Sequence, residues 1–598
     1  MYLKKGDMNE KILSTLLALL FAISFLPSVG TRDAIDSQTI QQEQLKQTLS
    51  SKIRYFYNSA IEGSSIMTTN NREFYDNVSD SDQVIVVFEL NNKPEFLNER
   101  LHIDDDASHE EARNIRREYH NKLKEYYQKV NAEFLRNNAF VASSKDYTIT
   151  QSQYSPFVQI EFADYATYRQ YNEKIVTMAA DEEINNINIG VPENFALEAD
   201  RVDASAASSG FISVGVGALN AYSQTYAGAG TKVGIIEPYG VAFSTSHEEL
   251  DSLPIYTYPQ GAPENWHAIR VARVLCGENG MARDVDAAYI AHSPNPSYFL
   301  GAVEYLIACE VDVINISMSS PGYYGQYTWQ SALIDYYVRF LYVPFVCAAG
   351  NEGGDGISNY GAGYNAITVA NSTLDNDINM GSAYGFDIDI NNRKPTVSAP
   401  GTNIYFDFPQ SVEASSGTSY SAPYIAGIVA KLICEFPALR ACPDTIIAAL
   451  IASAEPVNGQ SIGQPDVHAG AGVVNYAKAR EAVLNASGFA CHIDFSNKNV
   501  KSTTEAFPAD KRIKIVAVWL TNSNTQAEDD EIEIDLHTNY NLQISHATGV
   551  VTTASTQFNY EYISFFNDRS GEWTLKLIKA GEKHTDYCDW GTVTWVSE

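Results

Sequence analysis

The chain has 598 residues, 45% of them hydrophobic, and carries 73 acidic against 41 basic residues for a formal net charge of -32. At roughly 100–200 residues per folded unit, this length gives about three domains. The acidic excess excludes nucleic acid as a partner, which demands the opposite sign; it bears on solubility, not on fold.

Residues 1–30 have the form of a secretory signal. Lys4, Lys5 and Lys11 precede an apolar run from Ile12 to Leu26, and Pro27 to Gly30 makes a small-residue exit. The run is shorter than the ~20 residues of a membrane span. An uncleaved anchor is the alternative, and no later segment is apolar enough to span. The expected location is secreted, extracellular or periplasmic, with no membrane span after signal removal. Seven cysteines leave one unpaired or paired between chains. Cys491 with Cys588 and Cys434 with Cys442 are candidate bridges, and no spacing resembles a set of zinc ligands.

Residues 31–81 form a polar lead, rich in Gln and Ser and expected to be helical or disordered. Residues 82–195 read as a small α+β unit. Val84–Phe88 is apolar and β-branched, and Ser108 to Arg136 has helical spacing behind an N-cap. Phe157–Phe162 alternates as a strand, Asp164 to Ala180 is helical, and Ile184, Ile187 and Ile189 close with a strand. Across 205–485, short apolar runs (Val233–Ile236, Ala287–Ile290, Val313–Ile316, Phe345–Ala348, Ala366–Val369) alternate with helical stretches. Such runs suit a parallel sheet with helices on both faces. Residues 489–598 change texture: Ile513–Leu520, Glu531–Leu536 and Trp573–Leu577 alternate apolar and polar residues between turn residues, an antiparallel β-sandwich pattern. Glu528, Asp529 and Asp530 read as a solvated acidic loop or a calcium site. Asn77, Asn371 and Asn485 stand in glycosylation-type triplets.

The sharpest chemical signal is Gly417-Thr418-Ser419-Tyr420-Ser421-Ala422-Pro423, a serine at the start of an apolar helix. A helix N-terminus offers unpaired N–H groups and a positive dipole end, suited to an oxyanion beside the serine. On its own the motif also reads as an N-cap of a core helix.

That motif resembles the nucleophile motif of the subtilisin-like serine proteases (subtilases), and other blocks follow in the family's order. They are Asp312-Val313-Ile314-Asn315-Ile316-Ser317, Ala348-Ala349-Gly350-Asn351-Glu352-Gly353, Lys394 to Gly401, and Gly470-Ala471-Gly472-Val473-Val474-Asn475. The resemblance covers roughly residues 212–485. It implies Ser419 as nucleophile and Asn351 as oxyanion donor. Ser317, Met318, Ser319, Ala348, Ala349 and Gly350 would line the substrate pocket. His267 stands where the family's base belongs, with His247 and His292 as competitors; of its helix only Val271 and Ala272 match the family pattern.

The acid departs from that pattern: the family has Asp at the end of the first core strand, and this chain has Glu237. The bulky Ile269, Arg270 and Arg273 must also change their surroundings. The resemblance therefore implies a secreted serine endopeptidase, made as a zymogen, with a Ser419-His267-Glu237 triad. The alternative is a catalytically inactive subtilase-like binding protein. An esterase is disfavoured, because the order acid, His, Ser and the lack of a Gly-x-Ser-x-Gly elbow do not fit. Its partners would be protein or peptide substrates and its own propeptide, residues 82–195, followed by a polar cleavage linker at Asp203 to Gly210. No cofactor is required, and structural calcium is a possibility the family carries.

Overall fold

A computed structural model describes residues 53–56, 78–181, 183–192, 196–197, 200–202, 226–240, 250–260, 265–320, 323–386, 393–408, 411–461, 465–491, 499–521, 524–525, 534–535, 540–549, 551–554, 558–579 and 589–598. The expected signal, the Asp203 to Gly210 linker, His247, Asn77, Cys588 and the Glu528–Asp530 loop lie outside these residues.

The first unit is a five-stranded sheet with two helices. Its elements are β1 (Ile53–Phe56), β2 (Val84–Leu90), α1 (His109–Asn137), β3 (Tyr147–Gln151), β4 (Phe157–Phe162), α2 (Tyr165–Met178) and β5 (Ile184–Gly190). The strand order is β1-β5-β2-β4-β3. Both helices start where the sequence places their caps. Ser108 and Glu111 form a reciprocal capping box on α1, and the Asp164 carboxylate accepts the Thr167 N–H at 2.7 Å on α2. The polar lead departs from expectation: four of its residues form β1, paired in parallel with β5.

Two very short strands follow, β6 (Ala196–Leu197) and β7 (Asp200–Val202). The central unit is then built from β8 (Lys232–Glu237), β9 (Ile255–Tyr258), α3 (Trp266–Cys276), β10 (Ala287–His292), α4 (Pro296–Ala308), β11 (Val313–Ile316), β12 (Met318–Ser319), α5 (Trp329–Leu341), β13 (Phe345–Ala348) and β14 (Ile367–Ser372). It continues through β15 (Gly385–Phe386), β16 (Arg393–Lys394), β17 (Val397–Pro400), β18 (Ile404–Phe408), β19 (Ser411–Ser416), α6 (Thr418–Glu435), α7 (Pro443–Ser453) and α8 (Tyr476–Leu484). Seven strands make one parallel sheet in the order β17-β14-β13-β11-β8-β10-β9. Strands β11, β13, β14 and β17 are buried throughout, which is why they read as continuous apolar runs. Helix α6 packs across these strands and against α3, so the ends of β8 and β11 meet two helix N-termini.

Among the described residues the last unit is two four-stranded antiparallel sheets and a short antiparallel pair, β23 (Asn524–Thr525) with β24 (Ile534–Asp535). One sheet pairs β20 (Ser487–Cys491), β29 (Asp589–Ser597), β22 (Lys511–Trp519) and β27 (Tyr560–Asn567); the other pairs β21 (Asn499–Glu505), β28 (Trp573–Lys579), β25 (Tyr540–His546) and β26 (Val551–Ala554). Trp519, Leu542, Ile544, Leu575 and Leu577 fill the space between them.

Cys434 and Cys442 are free thiols, so the bridge expected there is absent. Closeness along the chain is a poor guide here, because Cys434 lies in the last turn of α6 while Cys442 caps α7 beyond an intervening 3-10 turn. Asn371 is also no glycan acceptor in the folded chain: it is buried on β14 and accepts the Thr402 hydroxyl at 3.0 Å.

Candidate active site

Glu237 closes β8, and His267 lies in the first turn of α3, where the Asn265 side chain caps the helix by accepting the His267 N–H at 2.7 Å. The imidazole Nδ1–H donates to Glu237 Oε2 at 2.7 Å, and both side chains are buried. A buried carboxylate on Nδ1 fixes the tautomer, leaving Nε2 as the base. The competing His292 stands beside Glu237 in the strand register but directs its Nε2 to the Pro238 carbonyl at 3.0 Å. Burial lowers its affinity for a proton.

Ser419 is in the first turn of α6. The next residue, Tyr420, lies against the His267 ring with 6.0 Å between ring centroids. The close approach of the preceding segment explains Gly401: a Cβ there would stand 2.1 Å from Ser421 Oγ and 2.6 Å from the Gly417 carbonyl. The Ser419 hydroxyl donates to the Ser317 carbonyl at 3.1 Å, while His267 Nε2 has no hydrogen-bond partner. Bringing the two together requires rotation of the serine side chain.

Pro423 accounts for a second tie. A proline has no N–H to give the carbonyl four residues earlier, which is that of Ser419. The Ser317 hydroxyl donates to that carbonyl instead, at 2.9 Å. The cleft strand and the nucleophile helix are therefore bonded in both directions.

Asn351 follows β13 and a glycine, Gly350, at φ 113°. Its amide oxygen accepts the Thr418 N–H at 3.0 Å and the Thr418 hydroxyl at 3.3 Å, which leaves the NH2 end as the donor. The Thr418 hydroxyl in turn accepts the Gly350 N–H at 3.2 Å. Thr418, Asn265 and Pro423 thus position the site without having stood out as members of it. Their signals were a helix-cap spacing and a proline inside a helix.

Ser317, Met318, Ser319, Ala348 and Ala349 are all buried beside this constellation. Part of the cover is the chain itself: β6 pairs antiparallel with β12, and β7 with β19. The bulky residues of α3 find a partner in Phe406, over whose ring the Arg270 and Arg273 guanidinium groups lie at 5.5 and 5.7 Å. Among the described residues no group of three or more His, Cys, Asp or Glu is placed to hold a metal ion.

A sequence model of the subtilase family matches residues 170–489, more than half of the chain. The chain is 29% identical over 238 residues to subtilisin DY of Bacillus licheniformis, a match covering 37% of this chain and 82% of that protein. It is 27% identical over 237 residues to subtilisin amylosacchariticus of Bacillus subtilis subsp. amylosacchariticus, covering 36% of this chain and 58% of that one. Among solved structures it is similar to fervidolysin from Fervidobacterium pennivorans, a keratinolytic enzyme related to subtilisin, at 16% identity and a TM-score of 0.46, over 86% of this chain and 71% of that one.

Proposed function

The chain belongs to the subtilase family of serine proteases, and from that premise we propose that it is a secreted endopeptidase, made as a zymogen, that hydrolyses peptide bonds through Ser419, His267 and Glu237. The observation that carries this is the buried 2.7 Å bond between His267 Nδ1 and Glu237. It supports a working acid at a position where the family has the shorter residue.

In this reading Ser419 Oγ turns from the Ser317 carbonyl to His267 Nε2, which takes its proton as the oxygen attacks a substrate carbonyl. The Asn351 amide and the Ser419 N–H, at the positive end of α6, hold the oxyanion. Glu237 stabilises the imidazolium without taking the proton. His267 then protonates the leaving amine, and water releases the acyl group.

Secretion rests on the basic and apolar pattern of residues 1–30, together with the fact that no helix among the described residues is long and apolar enough to cross a membrane. The zymogen reading rests on the N-terminal unit, which packs against α4 and α5. Tyr127 shares a 2.6 Å hydroxyl–hydroxyl bond with Tyr336, and Ser152 donates to Glu304 at 2.5 Å. The inactive reading draws its support from the Ser419–Ser317 bond, which holds the nucleophile away from its base.

Fluorophosphonate labelling of the purified protein, after limited trypsin treatment to open the cleft, decides between them. Label is expected on Ser419 by peptide mapping and is expected to vanish in His267→Ala. A folded, trypsin-treated protein that takes no label makes the chain a binding protein.

A further inference from the structure

Helix α4 has three stripes. One is buried in the core. A second meets the N-terminal unit: Gln159 donates to the Ser297 carbonyl at 2.8 Å and Ser152 to Glu304 at 2.5 Å. The third carries Tyr298, Gly301 and Tyr305, at the spacing of one helix face. It stays open with the N-terminal unit in place, and Tyr298 is 53% exposed. At its far end Tyr258 of β9 lies on the Tyr305 ring with 4.5 Å between centroids and 14° between planes. Tyr256 lies on Tyr289 of β10 in the same way, at 5.0 Å and 17°. Tyr289 and Tyr305 meet at 6.4 Å and pack against the core, so fixed inner rings back the outer ones. The outer rings, Tyr256 and Tyr258, are 50% and 42% exposed.

Gly301 is the floor between Tyr298 and Tyr305. Inside a helix a glycine is less stable than an alanine, and a positive φ or a crowded neighbour is the usual reason for one. Gly301 has neither: its φ is not positive, and a Cβ there would meet nothing within 4 Å. None of the described residues requires it. What it provides is bare helix surface between two rings that stand about 10.5 Å apart along the axis.

We propose that this trough binds a neutral, extended polysaccharide, with sugar rings laid on Tyr298 and on the Tyr258–Tyr305 stack and the intervening sugar over Gly301. A pyranose has a face of C–H groups and a rim of hydroxyls; tyrosine answers with a flat apolar ring and a hydroxyl at its edge. The spacing of the two rings is close to the disaccharide repeat of an extended β-linked chain, so every second sugar meets a ring. The lining carries no charge. Glu304, the one charged residue of α4, is directed into bonds with Ser152 and Tyr337. Glu310, beyond the helix, is held by Arg117 and Lys232. A chain with a net charge of -32 repels acidic polymers, which leaves the neutral ones. The trough also offers a protein partner neither arginine nor methionine to grip.

The trough opens beside the candidate active site. The Ser293 N–H donates to the Glu237 carbonyl at 2.8 Å, and Tyr298 follows in the first turn of α4. A chain held on a glycan there presents Ser419 to polypeptide attached to the same material. The binding itself uses no part of the Ser419 chemistry and stands or falls apart from it.

The test uses the full chain carrying Ser419→Ala, which removes peptidase chemistry from the assay. Its binding to cellohexaose and chitohexaose is measured by titration calorimetry, and its retention on microcrystalline cellulose and chitin by depletion. Binding to at least one of the two glycans is expected, with little dependence on salt, and none to heparin. Tyr258→Ala and Tyr298→Ala are each expected to raise the dissociation constant about tenfold, the size of one lost aromatic stack. Gly301→Leu leaves both rings but fills the floor. It is expected to weaken binding as much while melting no lower than its parent, since leucine is the better helix former. No binding to either glycan, binding that high salt abolishes, or binding that all three variants leave unchanged overturns the proposal. So does a dimer on gel filtration that Tyr258→Ala converts to a monomer, which would make this face a contact between copies of the chain.

Discussion

Glu237 reaches His267 because of where both ends are anchored. Strand β8 is pinned between β10 and β11, and α3 is fixed by its Asn265 cap and by burial of most of its residues. An Asp at 237 ends one methylene short, so the 2.7 Å bond opens by about 1.5 Å with no slack to close it. Glu237→Asp is therefore expected to lose roughly 10- to 100-fold in kcat/KM on a peptide substrate, about 1.4–2.7 kcal/mol of transition-state stabilisation. Glu237→Gln keeps the length but not the charge and is expected to lose up to ~10⁴. Wild-type activity in Glu237→Asp would refute the fit. That a carboxylate at 237 could face His267 was legible in the sequence, since a strand ending in a carboxylate precedes the histidine, and the two side chains are hydrogen-bonded. The match of its length to the site was not, because that depends on how α3 packs. Phe406 illustrates the same limit: nothing near it in the sequence marks it as the platform for Arg270 and Arg273.

At the scale of elements, strands with strong apolar runs and helices with side-chain caps could be read directly, as β11, β13, α1 and α2 were. Strands that exist only through a distant partner could not. β1 sits inside a polar lead, and β6 and β7 are too short to carry a pattern. The role of α1 was hidden for the same reason. Its N-cap and helical spacing mark a helix, but neither shows that Arg116 is buried against Asp312. Burial alone would raise the Asp312 carboxyl; Arg440 and Arg116 more than offset it and hold it well below the carboxylate range. Arg440 belongs to the same unit as Asp312, so removing Arg116 leaves the carboxylate neutralised and weakens only the grip of α1. Arg116→Ala in a segment that starts ahead of Ile53 and ends at residue 195 is expected to inhibit the enzyme freed of that segment 10- to 150-fold less well, about 1.5–3 kcal/mol for a hydrogen bond to a charged group. The thermal stability of the mature enzyme itself is expected to be unchanged. Equal inhibition by the two segments would show that α1 contributes no binding energy through this arginine.

Across the whole molecule, one apolar core runs from Val87 and Tyr127 through the parallel sheet to Val516, Leu520 and Val596. Polar seams reinforce it on the C-terminal side, where the Lys514 ammonium donates to the Ala454 carbonyl at 2.7 Å and Asn365 to the Thr521 carbonyl at 2.8 Å. A core shared by three units ties the attachment of each to the stability of the rest, so a titrating group at one seam is felt globally. His120 is such a group. Burial, aided by Arg116, lowers its pKa to about 3 against an ordinary 6.5, although its bond to Leu341 opposes the shift. The unfolded chain takes up a proton below pH 6.5 that the folded chain refuses down to about pH 3, so stability falls as the pH drops through this window. From pH 7 to pH 5 the loss is about 2 kcal/mol, at roughly 1.4 kcal/mol per unit below 6.5. Burial raises the Glu304 and Asp335 carboxyls, the latter to about 7, and these shift stability the opposite way in acid. The absolute slope therefore mixes signs, and the informative quantity is a difference. In the full-length Ser419→Ala chain, denaturant unfolding of His120→Gln is expected to gain about 2 kcal/mol relative to His120 between pH 7 and pH 5. A gap that stays constant across that range would mean that His120 takes up its proton equally in the folded and unfolded chain.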